Sequence, residues 1–82
     1  MRIIVVKEDM AGNRQTCFEH PYQTARAARL DIVDDFYSNL PVTSREGHSM
    51  EVFYFENETQ VRFVSTETGE IFAEYFMLYV WF

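Results

Sequence analysis

The pattern of apolar and polar residues along the chain predicts five strands separated by turns and one helix. Strands are expected at Arg2–Lys7, Arg14–Glu19, Met50–Glu56 and Thr59–Ser65, and from Glu70 to the end of the sequence. Arg2–Lys7 is β-branched on both sides, which indicates a position inside the sheet. A helix is expected from Pro21 to Asn39, because Pro21 suits the first helical turn and Pro41 stops it. The order ββαβββ predicts an α+β fold in one domain, 1–82, with a mainly antiparallel sheet of about five strands and the helix packed on one face.

Turn signals separate these elements and set part of the strand pairing. Gly12-Asn13 is expected to close the N-terminal hairpin, and the polar segment Val42–Ser49 is expected to be a loop. Asn57-Glu58 is expected to be a two-residue hairpin loop, which places Tyr54 opposite Val61.

The last hairpin gives the clearest register. Gly69 suits the positive φ at the end of a three-residue loop. This loop places Phe63 opposite Ala73 and Arg62 opposite Glu74. Arg62 and Glu74 have opposite charges, so this pair supports the predicted register.

The two sides of the predicted sheet differ in composition. The side expected under the helix is nearly free of charge and carries Val52, Tyr54, Val61, Phe63, Ile71, Ala73, Tyr75 and Met77. The other side carries Glu51, Phe53, Phe55, Gln60, Arg62, Val64, Phe72, Glu74 and Phe76. Aromatic residues in a polar surround are typical of interfaces. We expect a second copy or another protein to cover this side, unless the N-terminal hairpin folds over it to make a small sandwich or barrel.

The predicted helix has an apolar side and an acidic side. The apolar side carries Tyr22, Ala25, Ala28, Ile32, Val33, Phe36 and Leu40. The opposite side, expected to be solvated, carries Gln23, Thr24, Ala27, Asp31, Asp34, Asp35 and Ser38. Arg29 falls near the middle of the apolar side. It is expected to extend past the core to solvent, or alternatively to join a buried ion pair or anchor an interface.

Charge and cysteine content narrow the function classes. The 82 residues include seven basic and thirteen acidic side chains, which gives a net charge of −6. Nucleic-acid binders usually carry a basic patch, so direct nucleic-acid binding is not expected. The single cysteine excludes an intrachain disulfide. The N-terminal sequence lacks the apolar length of a signal peptide or membrane span, so a cytoplasmic protein is expected.

Candidate catalytic and metal-binding groups are few. Cys17 and His20 could form a thiolate–imidazole pair, but strand alternation places them on opposite sides, which favours a structural cysteine. Asp31, Asp34 and Asp35 could hold a hard cation, but no further ligand is spaced to complete the site. We therefore expect no enzyme, cofactor or metal site.

These patterns favour a small acidic protein-binding module that acts by stoichiometric contact. Its predicted partner-binding residues are Asp31, Asp34, Asp35, Phe53, Phe55, Glu56, Glu58, Phe72, Glu74 and Phe76. In size and charge the chain resembles small acidic inhibitors from phages and mobile elements, including anti-CRISPR and antirestriction proteins. This resemblance of type implies a basic, nucleic-acid-handling partner that is blocked by carboxylates placed where phosphates would lie.

Two other classes remain open at this point. One is a homodimeric structural or assembly protein that associates through the aromatic C-terminal strand. The other is an enzyme or small-ligand carrier with a pocket between helix and sheet. The acidic residues could also serve solubility alone.

Overall fold

A computed structural model describes residues 2–9, 11–18, 21–39 and 47–81. Its elements are β1 (Arg2–Glu8), β2 (Arg14–Thr16), α1 (Ala25–Asn39), β3 (His48–Tyr54), β4 (Glu58–Ser65) and β5 (Ile71–Val80). The strands form one antiparallel sheet in the order β2-β1-β5-β4-β3. The predicted α+β fold with ββαβββ order is confirmed.

Strand β5 lies in the middle of the sheet, between β1 and β4. Its pairing with β4 places Arg62 opposite Glu74 and Phe63 opposite Ala73, as predicted. The register shifts between Phe63 and Val64, so Val64 lies opposite Ile71 and the Ser65 N–H donates to the Glu70 carbonyl at 2.8 Å. The predicted three-residue loop is therefore wrong, because the turn has one more residue.

The middle residues of β5 are covered on both sides of the sheet: Tyr75 and Met77 lie in the core with α1, and Phe76, on the other side, is only 5% exposed. The N-terminal hairpin extends the same sheet beside β5 instead of folding over it, so the described strands do not form the alternative sandwich or barrel.

The β3–β4 hairpin differs from the prediction. Tyr54 pairs with Thr59, and the Phe55 N–H donates to the Glu58 carbonyl at 2.9 Å, so Asn57-Glu58 is not a two-residue loop. A two-residue type I′ loop needs positive φ at both positions, and no described non-glycine residue has positive φ. The predicted Tyr54–Val61 pair is therefore wrong by two residues, and each side chain keeps its predicted side of the sheet.

The strand boundaries differ most from the prediction in β2 and β3; β3 also ends at Tyr54 instead of Glu56. β2 ends at Thr16 instead of Glu19, because the chain leaves the ladder after the Cys17 N–H donates to the Val5 carbonyl at 2.9 Å. β3 begins at His48, within the segment predicted as a loop, because His48 pairs with Ser65 and lengthens the ladder. The rest of that loop, residues 42–46, lies outside the described residues.

Helix α1 begins at Ala25 instead of Pro21. Tyr22 is held beside Ile3 by two backbone hydrogen bonds of 2.7 and 2.8 Å, so it cannot join the helix. Thr24 caps the first turn, since its Oγ1 accepts a hydrogen bond from the Ala27 N–H at 3.2 Å. The helix ends at Asn39 as predicted.

The core lies between α1 and one side of the sheet. Its buried residues are Ile3, Val5, Tyr22, Ala28, Ile32, Phe36, Val61, Phe63, Ala73, Tyr75 and Met77. Within it, the Phe36 ring stacks on Phe63 with 3.9 Å between ring centres. α1 lies over β1 and β5, so the edge strand β3 is less covered. For this reason Tyr54, predicted to be in the core, is 75% exposed; Ile71, at the start of β5, is 46% exposed.

Candidate functional site

The side of the sheet away from α1 carries most of the predicted partner-binding residues. We define this acid–aromatic surface as Glu8, Arg14, Glu51, Phe53, Glu58, Arg62, Phe72, Glu74 and Phe76. Strand pairing aligns Glu51, Arg62, Glu74 and Glu8 in one row across four strands. Adjacent strands lie about 4.8 Å apart, so each charge in the row interacts with its neighbours.

Arg62 binds Glu51 and leaves Glu74 without a partner. Its Nε and Nη2 donate to Glu51 Oε1 at 3.2 and 3.0 Å, and its guanidinium lies 4.8 Å from the centre of the Phe53 ring. Glu74 faces Arg62 across the strands but forms no ion pair with any residue in the described part of the chain. One carboxylate in the middle of the sheet is therefore available to an external cation.

Arg14 covers Phe76 and neutralises two acidic residues. Its guanidinium lies 3.9 Å from the centre of the Phe76 ring. It forms ion pairs with Glu8 at 3.6 Å and with Glu58 at 3.3 Å. Phe76 is accordingly only 5% exposed, so a partner reaches its ring only if Arg14 moves. This role of Arg14 was not predicted from the sequence, although a hairpin that places Arg14 opposite Glu8 was a usable signal.

A surface cavity of about 330 Å³ adjoins Glu74. Its lining residues are Glu8, Asp9, Gly12, Ile71, Phe72, Ala73 and Glu74. Glu8 and Glu74 lie directly opposite each other on β1 and β5, and Arg14 pairs with Glu8, so Glu74 is the carboxylate of this pair that a bound cation would engage. Phe72 is 38% exposed at the cavity. Carboxylates beside an aromatic ring accommodate a lysine or arginine side chain by charge pairing and cation–π contact.

The helix aspartates do not share one solvated side. Asp34 is exposed, but Asp31 accepts a hydrogen bond from the Tyr22 hydroxyl, and Asp35 Oδ2 accepts one from the Tyr75 hydroxyl at 2.5 Å. The prediction that Asp31 and Asp35 are solvated is therefore wrong. α1 also covers the opposite side of the sheet, so these aspartates are not part of the acid–aromatic surface.

The helical geometry explains this placement. At about 100° per residue, Asp35 lies roughly 60° from the buried Ile32, on the flank of the apolar stripe. Asp34 lies roughly 160° from Ile32 and faces solvent. The helical period therefore predicts that Asp35 lies beside the core and that Asp34 faces solvent. The close spacing of the three aspartates had suggested instead that they share one solvated side.

The remaining predicted partner-binding residues lie at the β3–β4 turn. Phe55, 55% exposed, and the exposed Glu56 lie in this loop, beyond the end of β3. Glu58 begins β4 and is bound to Arg14. Arg29, on α1, is half-buried and forms no ion pair within the described ranges.

Burial and a neighbouring carboxylate shift the acidity of two core tyrosines. Burial raises the pKa of Tyr75, and the hydrogen bond to Asp35 raises it further. Burial likewise raises the pKa of Tyr22, with Asp31 as the second cause. Both phenols therefore stay protonated well above neutral pH.

Cys17 lies near Asp35 at a second, polar cavity. This cavity has a volume of about 240 Å³ and is lined by Lys7, Glu8, Asp9, Asn13, Gln15, Thr16, Cys17, Asp35 and Asn39. Burial raises the pKa of Cys17 from about 9 to about 11; Asp35 also raises it, and Lys7 opposes this effect. Cys17 is therefore a neutral thiol at neutral pH. His20, its predicted partner, lies outside the described residues.

Neither cavity contains a recognisable metal site. Among the residues that the structure describes, no three histidine, cysteine or acidic side chains are grouped so that they could hold a metal ion. No described helix has the length and apolarity needed to cross a bilayer. Comparisons of the chain with protein-family models, with curated proteins and with solved structures found no match.

Proposed function

We propose that the protein is a small acidic binding module that acts by stoichiometric contact with a basic partner protein. The observation that carries this proposal is Glu74, a carboxylate without an ion pair in the described structure, beside Glu8 and the exposed Phe72. The cavity that these residues line is large enough for one basic side chain. The net charge of −6 would draw a basic partner to this surface over distances of about a Debye length.

Inhibition of a basic, nucleic-acid-handling complex is the biological role that this chemistry supports best. Such a complex carries lysine and arginine residues where phosphates bind. Carboxylates presented next to an aromatic ring compete for the same side chains. In this role the protein would act as anti-CRISPR and antirestriction inhibitors do, by occupying a surface and without catalysis.

Titration with an arginine-rich peptide, followed by NMR, tests the site directly. We expect the backbone amides of Phe72 and Glu74 to shift on binding, and the affinity to fall steeply as salt is added. Glu74→Gln and Phe72→Ser should weaken binding, whereas Asp34→Asn removes one exposed charge away from the cavity and serves as the control for net charge. If Glu74→Gln and Asp34→Asn lower the peptide affinity equally, the effect would come from net charge alone. This result would contradict a defined site.

A homodimeric assembly protein is the second candidate. Both edges of β5 are paired within the chain, so self-association through this strand has to use its face on the acid–aromatic surface. There Phe72 is exposed and no described segment covers it. Sedimentation from micromolar to millimolar protein, at low and high salt, distinguishes the two candidates. A dimer that Phe72→Ser dissociates would favour assembly, and a monomer at every concentration would favour the binding module.

A further inference from the structure

Strand β3 is at the edge of the sheet, and one of its edges has no strand partner among the described residues. Backbone bonds from Phe55 to Glu58, at 2.9 Å, and from Thr66 to Gly47, at 2.7 Å, flank its ladder with β4. Antiparallel residues alternate in the direction of their backbone groups. The residues that direct their N–H and C=O groups outward are therefore His48, Met50, Val52 and Tyr54.

Several features that usually protect edge strands are missing from β3 itself. β3 is seven residues long, contains no lysine or proline, and pairs with β4 without a bulge. On the helix side of the sheet, Met50 is 43% exposed and Tyr54 is 75% exposed. A strand added here would satisfy the outward backbone groups and would bury these two side chains under its own apolar residues.

The charge of this edge indicates what kind of strand fits. Side chains that lie directly opposite on neighbouring strands share one side of the sheet. The Glu51 side chain is 43% exposed on the open side, and both hydrogen bonds from Arg62 go to its Oε1. Its Oε2 is therefore open to a basic residue on the strand opposite. A second copy of the chain would instead bring another net charge of −6 to the same edge.

We infer that the outer edge of β3 binds an extended segment of a partner protein as a sixth strand. The segment alternates apolar side chains, which pack on Met50 and Tyr54, with basic side chains opposite Glu51. This surface is separate from the cavity at Glu74, and the inference does not depend on the function proposed for that cavity.

Selection from a phage-displayed library of random seven-residue peptides against the full chain tests this inference. We expect enrichment of peptides in which apolar and basic residues alternate. The enriched peptides are then measured against Val52→Pro and Val52→Ala. Both variants lose the valine side chain, but only proline removes the outward N–H, and it leaves the ladder with β4 intact. Val52→Pro should bind about three- to tenfold more weakly than Val52→Ala.

Further variants distinguish a loss of peptide binding from a loss of folding. If Val52→Pro unfolds, as judged by circular dichroism, Tyr54→Pro and Tyr54→Ala provide the same comparison near the end of the strand. Asp34→Asn should leave peptide affinity unchanged, because Asp34 is an exposed residue of α1 outside the β3 edge. Equal affinity of the proline and alanine variants would overturn the inference, as would enrichment without alternation. A wild-type dimer that Val52→Pro dissociates would also overturn it, since the occupant would then be a second copy.

Discussion

The hydroxyl of Tyr75, a residue buried completely at the centre of the sheet, donates a hydrogen bond of 2.5 Å to Asp35 on α1. This bond joins the helix to the central strand at the point where each contributes a polar atom to an apolar core. Asp35 also lies 3.8 Å from Lys7 on β1, so one carboxylate connects α1 to two strands.

Removal of the Asp35 carboxylate should destabilise the fold, because it leaves the Tyr75 hydroxyl buried without an acceptor. We expect Asp35→Ala to lower the free energy of unfolding by about 1–3 kcal/mol. Asp34→Ala makes the same change one residue earlier in the helix, at an exposed position, and should alter it by less than about 0.5 kcal/mol. Urea denaturation of both variants measures the difference. Equal effects would show that helix propensity, and not the hydrogen bond, accounts for the loss.

Alkaline pH should lower the free energy of unfolding of the protein. In the unfolded chain, tyrosine ionises near pH 10, whereas the raised pKa values of Tyr22 and Tyr75 keep the folded phenols protonated. The folded state therefore binds more protons than the unfolded state above about pH 9, and stability falls as pH rises. Urea midpoints between pH 7 and pH 11 should fall most steeply at the upper end. Tyr75→Phe should flatten this decline; an unchanged slope would contradict the role of Tyr75.

Alkylation of Cys17 should be slow in the folded protein. A pKa of about 11 in place of about 9 reduces the thiolate fraction by about 100-fold at neutral pH. Iodoacetamide labelling, followed by mass spectrometry at pH 8, should be slower by at least tenfold in buffer than in urea. Cys17→Ser controls for labelling at other residues. Fast labelling in the native state would indicate an activated thiol and would reopen the enzymatic alternative.

Truncation of Arg14 should weaken the fold slightly and strengthen binding of a basic partner. Arg14→Ala removes the cover of Phe76 and two ion pairs, which we expect to cost about 1 kcal/mol of stability. Arg14→Met retains part of the apolar cover and should cost less. Both variants free Glu8 and Glu58, so an arginine-rich peptide should bind more tightly than it does to the wild type. Arg26→Ala, at an exposed position of α1, is the charge-matched control.

The sequence pattern was sufficient to predict the fold class and the pairing of Arg62 with Glu74 in the last hairpin. Gly69, with φ of 75°, lies in the turn as expected, but the turn is one residue longer than predicted and a register shift between Phe63 and Val64 accommodates the extra residue. The start of α1 was harder to predict, because the proline that suits a first turn also suits the extended segment that holds Tyr22 beside Ile3. The pairing of Tyr22 with Ile3 therefore outweighed the preference of Pro21 for a first helical turn.

The candidate site was only partly predictable, because contacts between distant residues determine it. The sequence indicated which carboxylates and aromatic residues share the open side of the sheet. It did not indicate that Arg14, 44 residues from Glu58 in the chain, reaches across the sheet to bind that carboxylate. It also did not indicate that Tyr22 and Tyr75 engage Asp31 and Asp35. A long flexible side chain can reach several partners, and tertiary packing determines which of them it contacts. The local sequence pattern carries no information on this packing.

The central position of β5 has a consequence for how the chain acquires its structure. During synthesis, the β1–β2 and β3–β4 hairpins can form early, but the described strands contain no pairing that joins them directly. Arg2 meets its partner Val80 only after almost the whole described chain has been made. Such distant pairings slow folding, so the strand edges of the two hairpins would stay unpaired until β5 pairs with β1 and β4. We expect the chain to fold in a single cooperative step that requires residues 71–80, because only β5 joins the two hairpins among the described strands.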